Sequence, residues 1–173
     1  MTEMIPAWCD DTLTPVEKLE AHKQGLKHKA VSVFLFHGDK VLIQQRAAEK
    51  YHTPNLWANT CCTHPHWGED PALCAQRRLE EELGITGCMP KWVENLEYRA
   101  DVGGGLVEHE VVDLFVIHCD AMPSLTLNPA EVQAVQWLTR ESLEQQIAHT
   151  PEVFTPWLKI YMSEHARSVF GPA

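Results

Sequence analysis

None of the six cysteines in this 173-residue chain forms a C-x-x-C pair. Zinc ribbons and thioredoxin-type redox pairs therefore find no support. No apolar run approaches the ~20 residues that a membrane-spanning helix needs. The first apolar stretch, Met4 to Cys9, is short and has no basic leader, so no secretion signal is read there. Positive charge is scarce: 14 lysines and arginines stand against 24 aspartates and glutamates, a formal net charge of -10. A general nucleic-acid binder needs a basic face, so that class is excluded. An anionic small molecule is not excluded, because a local basic cluster can sit on an acidic protein. Internal repeats and low-complexity segments are also absent. These absences point to a single-domain cytoplasmic protein with reduced thiols. No membrane and no obligatory protein partner is expected.

The chain does have a 45% apolar content, enough for one sizeable core. Ala30 to Phe36 and Lys40 to Gln45 flank a His37-Gly38-Asp39 turn and read as a β-hairpin. Trp57 to Cys62 reads as a short extended piece within a loop. Asp70 to Leu83 reads as a helix, with Asp70 as N-cap, Pro71 in the first turn and Gly84 just past the end. Strands follow over Trp92 to Ala100, Leu106 to Cys119 and Ala134 to Leu138. Helices are expected over Arg140 to His149 and Pro151 to Arg167, the second capped by Thr150. This order predicts an α+β fold with a mixed or antiparallel sheet. The first ~28 residues show no core periodicity and are expected to wrap the outside.

Two short phrases carry the chemistry: N-T-C-C-T-H-P (Asn59 to Pro65) and G-L-V-E-H-E-V (Gly105 to Val111). Each offers a pair at i, i+2, Cys62 with His64 and Glu108 with Glu110. On extended backbone such pairs share a face. Two such strands side by side would gather a thiol, an imidazole and two carboxylates. A borderline metal accepts His and carboxylate together, and a thiol facing a carboxylate can give a proton on one side and take one on the other. The bland reading of any one of these residues is a buried small hydrophobe or a satisfied core histidine.

The helix ends R-R-L-E-E-E-L-G (Arg77 to Gly84). Its i, i+4 Arg/Glu pairs read most simply as a solvated charged face. The functional alternative is a divalent cation on carboxylate oxygens, bridging to a polyphosphate held by arginine.

Glu69, seven residues, then Arg77-x-Leu79-x-Glu81-Glu82-x-Gly84-Ile85 resembles the Nudix box. Thr63 stands where that box has glycine, and Arg78 where it has glutamate. The missing glutamate argues against Nudix-type hydrolysis while leaving the fold expectation in place. The two chemical phrases resemble the type 1 isopentenyl-diphosphate isomerases, a branch of that superfamily. So do E-K-L-E-A-H (Glu17 to His22), H-K-A-V-S-V-F-L-F (His28 to Phe36), L-I-Q-Q-R-A-A-E-K (Leu42 to Lys50), E-Y-R-A (Glu97 to Ala100) and F-T-P-W (Phe154 to Trp157). The likeness spans about Glu17 to Trp157 and is closest to the short bacterial form.

The resemblance implies an α/β/α sandwich with a Nudix-like mixed sheet. It implies an N-terminal arm over residues 1–29 carrying metal ligands and a catalytic domain over 30–173. Cys62, Glu110 and Tyr98 would be catalytic, with Glu110 supplying or relaying a proton and Cys62, as thiolate, removing one. His22, His28, His64, Glu108 and Glu110 would hold Mn²⁺, Mg²⁺ or Zn²⁺. The register of His22 needs a one-residue gap in K-Q-G-L-K. Lys18, Arg46, Lys50 and Arg78 would contact the substrate diphosphate. Glu82 would ligate a Mg²⁺ travelling with it, and Trp157 would line the hydrocarbon pocket. Cys61 and His109 are set aside by strand parity. His37, His52, His66, His118, His149 and His165 keep a bland reading. Two rivals stay open: a Nudix diphosphohydrolase using Glu81 and Glu82, and a metal-binding module that turns over nothing.

Overall fold

The computed structural model describes residues 2–172. The spine is β3 (Lys27–His37), apolar on both faces in its middle, as a strand covered on both sides must be. Along one edge it runs parallel to β8 (Leu106–Cys119), from Lys27↔His109 to His37↔Cys119. Along its other edge it meets three antiparallel neighbours in turn. These are β1 (Met4–Cys9) at Ala7↔His28, β6 (Cys61–Thr63) at Ser32↔Cys62, and β4 (Lys40–Arg46) at Phe36↔Val41. The sheet is completed by β2 (Thr12–Glu17) on β1, β7 (Lys91–Gly103) on β8, and β5 (Trp57–Ala58) and β9 (Val132–Thr139) on β4. It is the mixed sheet expected.

Strand alternation divides the core in two. Ala30, Phe34 and Phe36 pack with Val112, Leu114 and the helix α4 (Pro156–Glu164). Val31, Val33 and Leu35 pack with Cys74, Leu79 and Leu83 of α2 (Pro71–Leu83). Helices thus cover both faces, the α/β/α arrangement. Asp70 caps α2 by accepting from the Ala72 and Leu73 N–H groups. Gly84 ends it at φ 69°, where a Cβ would lie 2.8 Å from Thr126 Cβ.

Two expectations need correction. The N-terminal segment is a built part of the sheet: β1 and β2 form a hairpin, α1 (Lys18–Gln24) follows, and Ile5, Ala7 and Ala21 are fully buried. A boundary after residue 29 would cut β3. The hairpin turns on Asp10 and Asp11, at φ 47° and 63°. Aspartate tolerates that region, and a two-residue turn with both φ positive matches strand twist. The final helix is also divided. Pro151–Val153 is a 3₁₀ turn, α4 begins at Pro156, and α5 spans Ala166–Phe170. A helix running through Pro156 would lose a hydrogen bond and clash one turn back. Thr155, rather than Thr150, caps the Leu158 N–H at 3.4 Å. Arg140–His149 forms α3 as expected.

Candidate active site and metal centre

Three sheet registers converge at one end of β3. His28 lies opposite Glu110, Tyr98 opposite Glu110, and Ser32 opposite Cys62. Period-two alternation then puts Glu108 on the same face. Cys62, His64, Tyr98, Glu108, Glu110 and Trp157 line one pocket, with Lys18, Arg46, Lys50 and Arg78. Parity also places the rejected neighbours. Cys61 is buried in the opposite core, and His109 is turned away to Glu97 at 2.8 Å.

One ligand atom each from His22, His28, His64 and Glu110 lie within 4.8 Å of one another. The Nδ1–H of His22 donates to the Lys18 carbonyl at 2.6 Å, and that of His28 to the Leu26 carbonyl at 2.7 Å. A carbonyl can only accept, so both tautomers are fixed with a bare Nε2. Among the described residues both Nε2 atoms are buried without a partner, and so is Nδ1 of His64. Burial, reinforced by His28, pushes His22 down to about 4, and burial pushes His64 down as well. Neutral imidazoles with free lone pairs beside a carboxylate fit a divalent cation. Between His22 and His28, α1 stops at Gly25, φ 62°.

Tyr98 sits between the two carboxylates, its Oη 2.7 Å from Glu110 Oε2 and 2.9 Å from Glu108 Oε2. Burial, with the neighbouring Glu110 charge, pushes Glu108 well above the carboxylate range. Burial opposes ionisation of Glu110 too, but the hydrogen bond from His64 holds it well below that range. His64 Nε2 lies 2.9 Å from Glu110 Oε1.

The thiol of Cys62 donates to Asn59 Oδ1 at 2.8 Å. Its one proton is then used, so Ser32 Oγ, 3.1 Å away, donates to the sulfur. By the same count Tyr161 Oη donates to Ser32 Oγ at 2.7 Å. Burial pushes the thiol well up. Burial thus favours the neutral thiol over the thiolate in the protein alone.

Each basic group of the rim has an internal partner. Lys18 pairs with Glu3 and Lys50 with Glu131, while Arg78 reaches Glu81, Glu82 and Glu131. Arg46 donates to the carbonyls of His52 and Thr53 at 3.2 Å and lies 5.3 Å from the Trp157 ring centroid. Glu82 differs from expectation. It is buried, accepts from Gln44 at 2.8 Å and Arg78 at 2.6 Å, and is not among the pocket walls. On a helix packed against the opposite core, Arg78 reaches round to the pocket and Glu82 meets it through Arg78.

Sequence reasoning missed Ser32, Asn59, Tyr161, Glu131 and His52. Asn59 was within the quoted phrase, and Ser32 shares strand parity with His28. Tyr161 and Glu131 carry no local signal. His52 and Tyr51 are pocket walls, from the loop between β4 and β5.

A mixed sheet between helical layers, with the box helix α2 on one face, defines a Nudix-type protein. The NUDIX domain model matches residues 26–158. Solved structures agree on the fold. DR0079 from Deinococcus radiodurans superposes with a TM-score of 0.65 at 18% identity, over 85% of this chain and 90% of that one. A MutT NUDIX hydrolase from Burkholderia pseudomallei gives 0.60 at 20% identity, over 80% and 97%. Relatives in sequence are far nearer. The Isopentenyl-diphosphate Delta-isomerase of Roseobacter denitrificans is 60% identical over 99% of this chain and 97% of its own. That of Dinoroseobacter shibae is 57% identical over the same shares. The chain belongs to the isopentenyl-diphosphate Delta-isomerase family.

Proposed function

We propose that the protein interconverts isopentenyl diphosphate and dimethylallyl diphosphate by adding one proton and removing another, in isoprenoid precursor synthesis. The observation that carries this is a half-buried thiol and a buried Tyr98–Glu110 pair in one pocket, under a rim of four cationic side chains. An unactivated alkene is a poor base, so its protonation needs a positioned acid and little competing water. A proton added to the terminal methylene leaves a tertiary, cation-like centre. Loss of a proton from the adjacent allylic methylene then places the double bond at its new position. No atom is gained or lost overall.

Cys62 and Glu110 are the donor–acceptor pair, exchanging roles between the two directions, and Tyr98 relays protons at Glu110. A neutral Cys62 thiol begins as donor and becomes a base once its proton has left. The Trp157 face stabilises the developing positive charge. Lys18, Arg46, Lys50 and Arg78 hold the diphosphate, each exchanging its internal partner for phosphate oxygen. His22, His28, His64, Glu108 and Glu110 would hold Mn²⁺, Mg²⁺ or Zn²⁺. Such a cation, when bound, supplies Lewis acidity beside the Glu110 carboxyl. Glu82 would hold Mg²⁺ with the diphosphate once Arg78 turns to the substrate. Six free cysteines suit a reducing cytoplasm.

Purified protein incubated with isopentenyl diphosphate and Mg²⁺ or Mn²⁺ should form an acid-labile allylic product. Phosphate release from nucleoside diphosphate derivatives, without that product, would favour a hydrolase. Metal binding with neither product would leave a binding module.

A further inference from the structure

His52 stands outside the ligand set just proposed, yet it is almost fully buried, at 5% exposure, against that set. Its Nε2 lies 3.3 Å from Glu108 Oε1. One ligand atom each from His22, His52 and Glu108 lie within 4.8 Å of one another. The ring stacks on His22 with centroids 5.6 Å apart and stands edge-on to Trp157 at 6.0 Å. It therefore touches both the metal pocket and the hydrocarbon wall.

The loop that delivers His52 is held at some cost. Thr53 and Asn55 sit at φ 47° and 64°, a region that costs a β-branched residue such as threonine the more. Arg46 fixes the same loop through the carbonyls of His52 and Thr53. Thr53 Oγ1 lies 2.9 Å from His52 Nδ1. With that hydroxyl donating to Nδ1, the ring proton is on Nε2 and faces Glu108 Oε1 across 3.3 Å. Tyr98 holds the other oxygen of the same carboxylate. Glu108 then has a polar neighbour at each oxygen while lone pairs remain for a cation.

We propose that His52 is a positioning residue of the metal centre: it orients Glu108 through Nε2, in the tautomer set by Thr53. This inference rests on the metal-centre reading above. Outer partners of metal ligands cost roughly 10–100-fold in metal affinity when removed. A core histidine in incidental contact would cost stability and leave metal affinity alone.

The test is Mn²⁺ affinity by calorimetry, with the Co²⁺ absorption spectrum as a report on the ligand set. Thermal melting shows that each variant is folded. His52→Leu should weaken Mn²⁺ binding by roughly 10–100-fold with an unchanged Co²⁺ spectrum. His52→Gln places an amide N–H near the Nε2 position and should restore most of the affinity. Thr53→Gly suits the positive φ and removes the hydroxyl, so it should weaken binding in a protein that still folds. Wild-type affinity in His52→Leu would overturn the proposal. So would wild-type affinity in Thr53→Gly, should His52→Leu not fold. A Co²⁺ spectrum changed by His52→Leu and not restored by glutamine would make His52 a ligand itself and equally overturn it. Failure of the wild-type protein to bind either cation would instead sink the metal-centre reading, before any variant is made.

Discussion

The thiol of Cys62 and the side-chain carbonyl of Asn59 are hydrogen-bonded across 2.8 Å, three residues apart on one short turn of chain. The Asn59 amide is itself fixed, donating to the carbonyls of Val33 at 3.0 Å and Cys61 at 3.3 Å. Its oxygen therefore has one orientation, toward the sulfur. The S–H bond is aimed by the sheet and not by a flexible side chain, which is the pre-organisation a proton donor needs.

Cys62→Ala should keep the fold and lose turnover by about 10²–10⁴-fold, the range for removal of a positioned acid or base. Deuterium incorporation from D₂O into the allylic product reads it. Near-wild-type exchange would remove Cys62 from the mechanism.

Ser32→Ala and Tyr161→Phe each break the hydroxyl chain that ends on the sulfur. Neither residue is among the pocket walls, so kcat should fall by up to about 10-fold while KM stays constant. Ser32→Thr keeps the hydroxyl and should recover part of the loss. Steady-state kinetics decide this, and a rise in KM alone would contradict it.

Arg78→Glu installs the glutamate that the Nudix box has at this position. No hydrolase should result, because the new carboxylate faces Glu81, Glu82 and Glu131 and removes the guanidinium that pairs with all three. KM for isopentenyl diphosphate should rise by about 10-fold or more as a charged hydrogen bond is lost. Release of phosphate from nucleoside diphosphate derivatives would refute this.

Acid should weaken the metal-free fold from about pH 6.5 down to about pH 4. Burial, then His28, lowers His22 from 6.5 to about 4 in the folded state. Across that window the unfolded chain binds the extra proton, so stability falls as pH falls. Below it this contribution is fully lost. Urea midpoints measured at pH 7, 5.5 and 4 should decline in that order. His22→Gln should flatten the trend, and an unchanged slope in that variant would exclude His22 as a cause.

Metal should protect the N-terminal segment from protease. His22 lies on α1 and His28 at the start of β3, with Lys23 and Lys27 between them as tryptic sites. A cation joining both histidines stabilises the closed form by mass action. Limited trypsin digestion with and without Mn²⁺ tests it, and equal cleavage rates would count against it.

The local pattern determined much on its own. Period-two spacing chose Cys62 over Cys61 and Glu110 over His109, because a strand can present only alternate residues to a face. Asp70, Pro71 and Gly84 fixed α2 through cap chemistry acting over a few residues. Tertiary structure decided what depends on long-range register. The pairing of β3 with β8 set His28 against Glu110. It also gave the first thirty residues a core to join, though their own sequence shows no periodicity. His52, Ser32 and Tyr161 belong to that same class. Each is ordinary in its own segment, and its role follows from a neighbour that chain folding brings from 30 or more residues away.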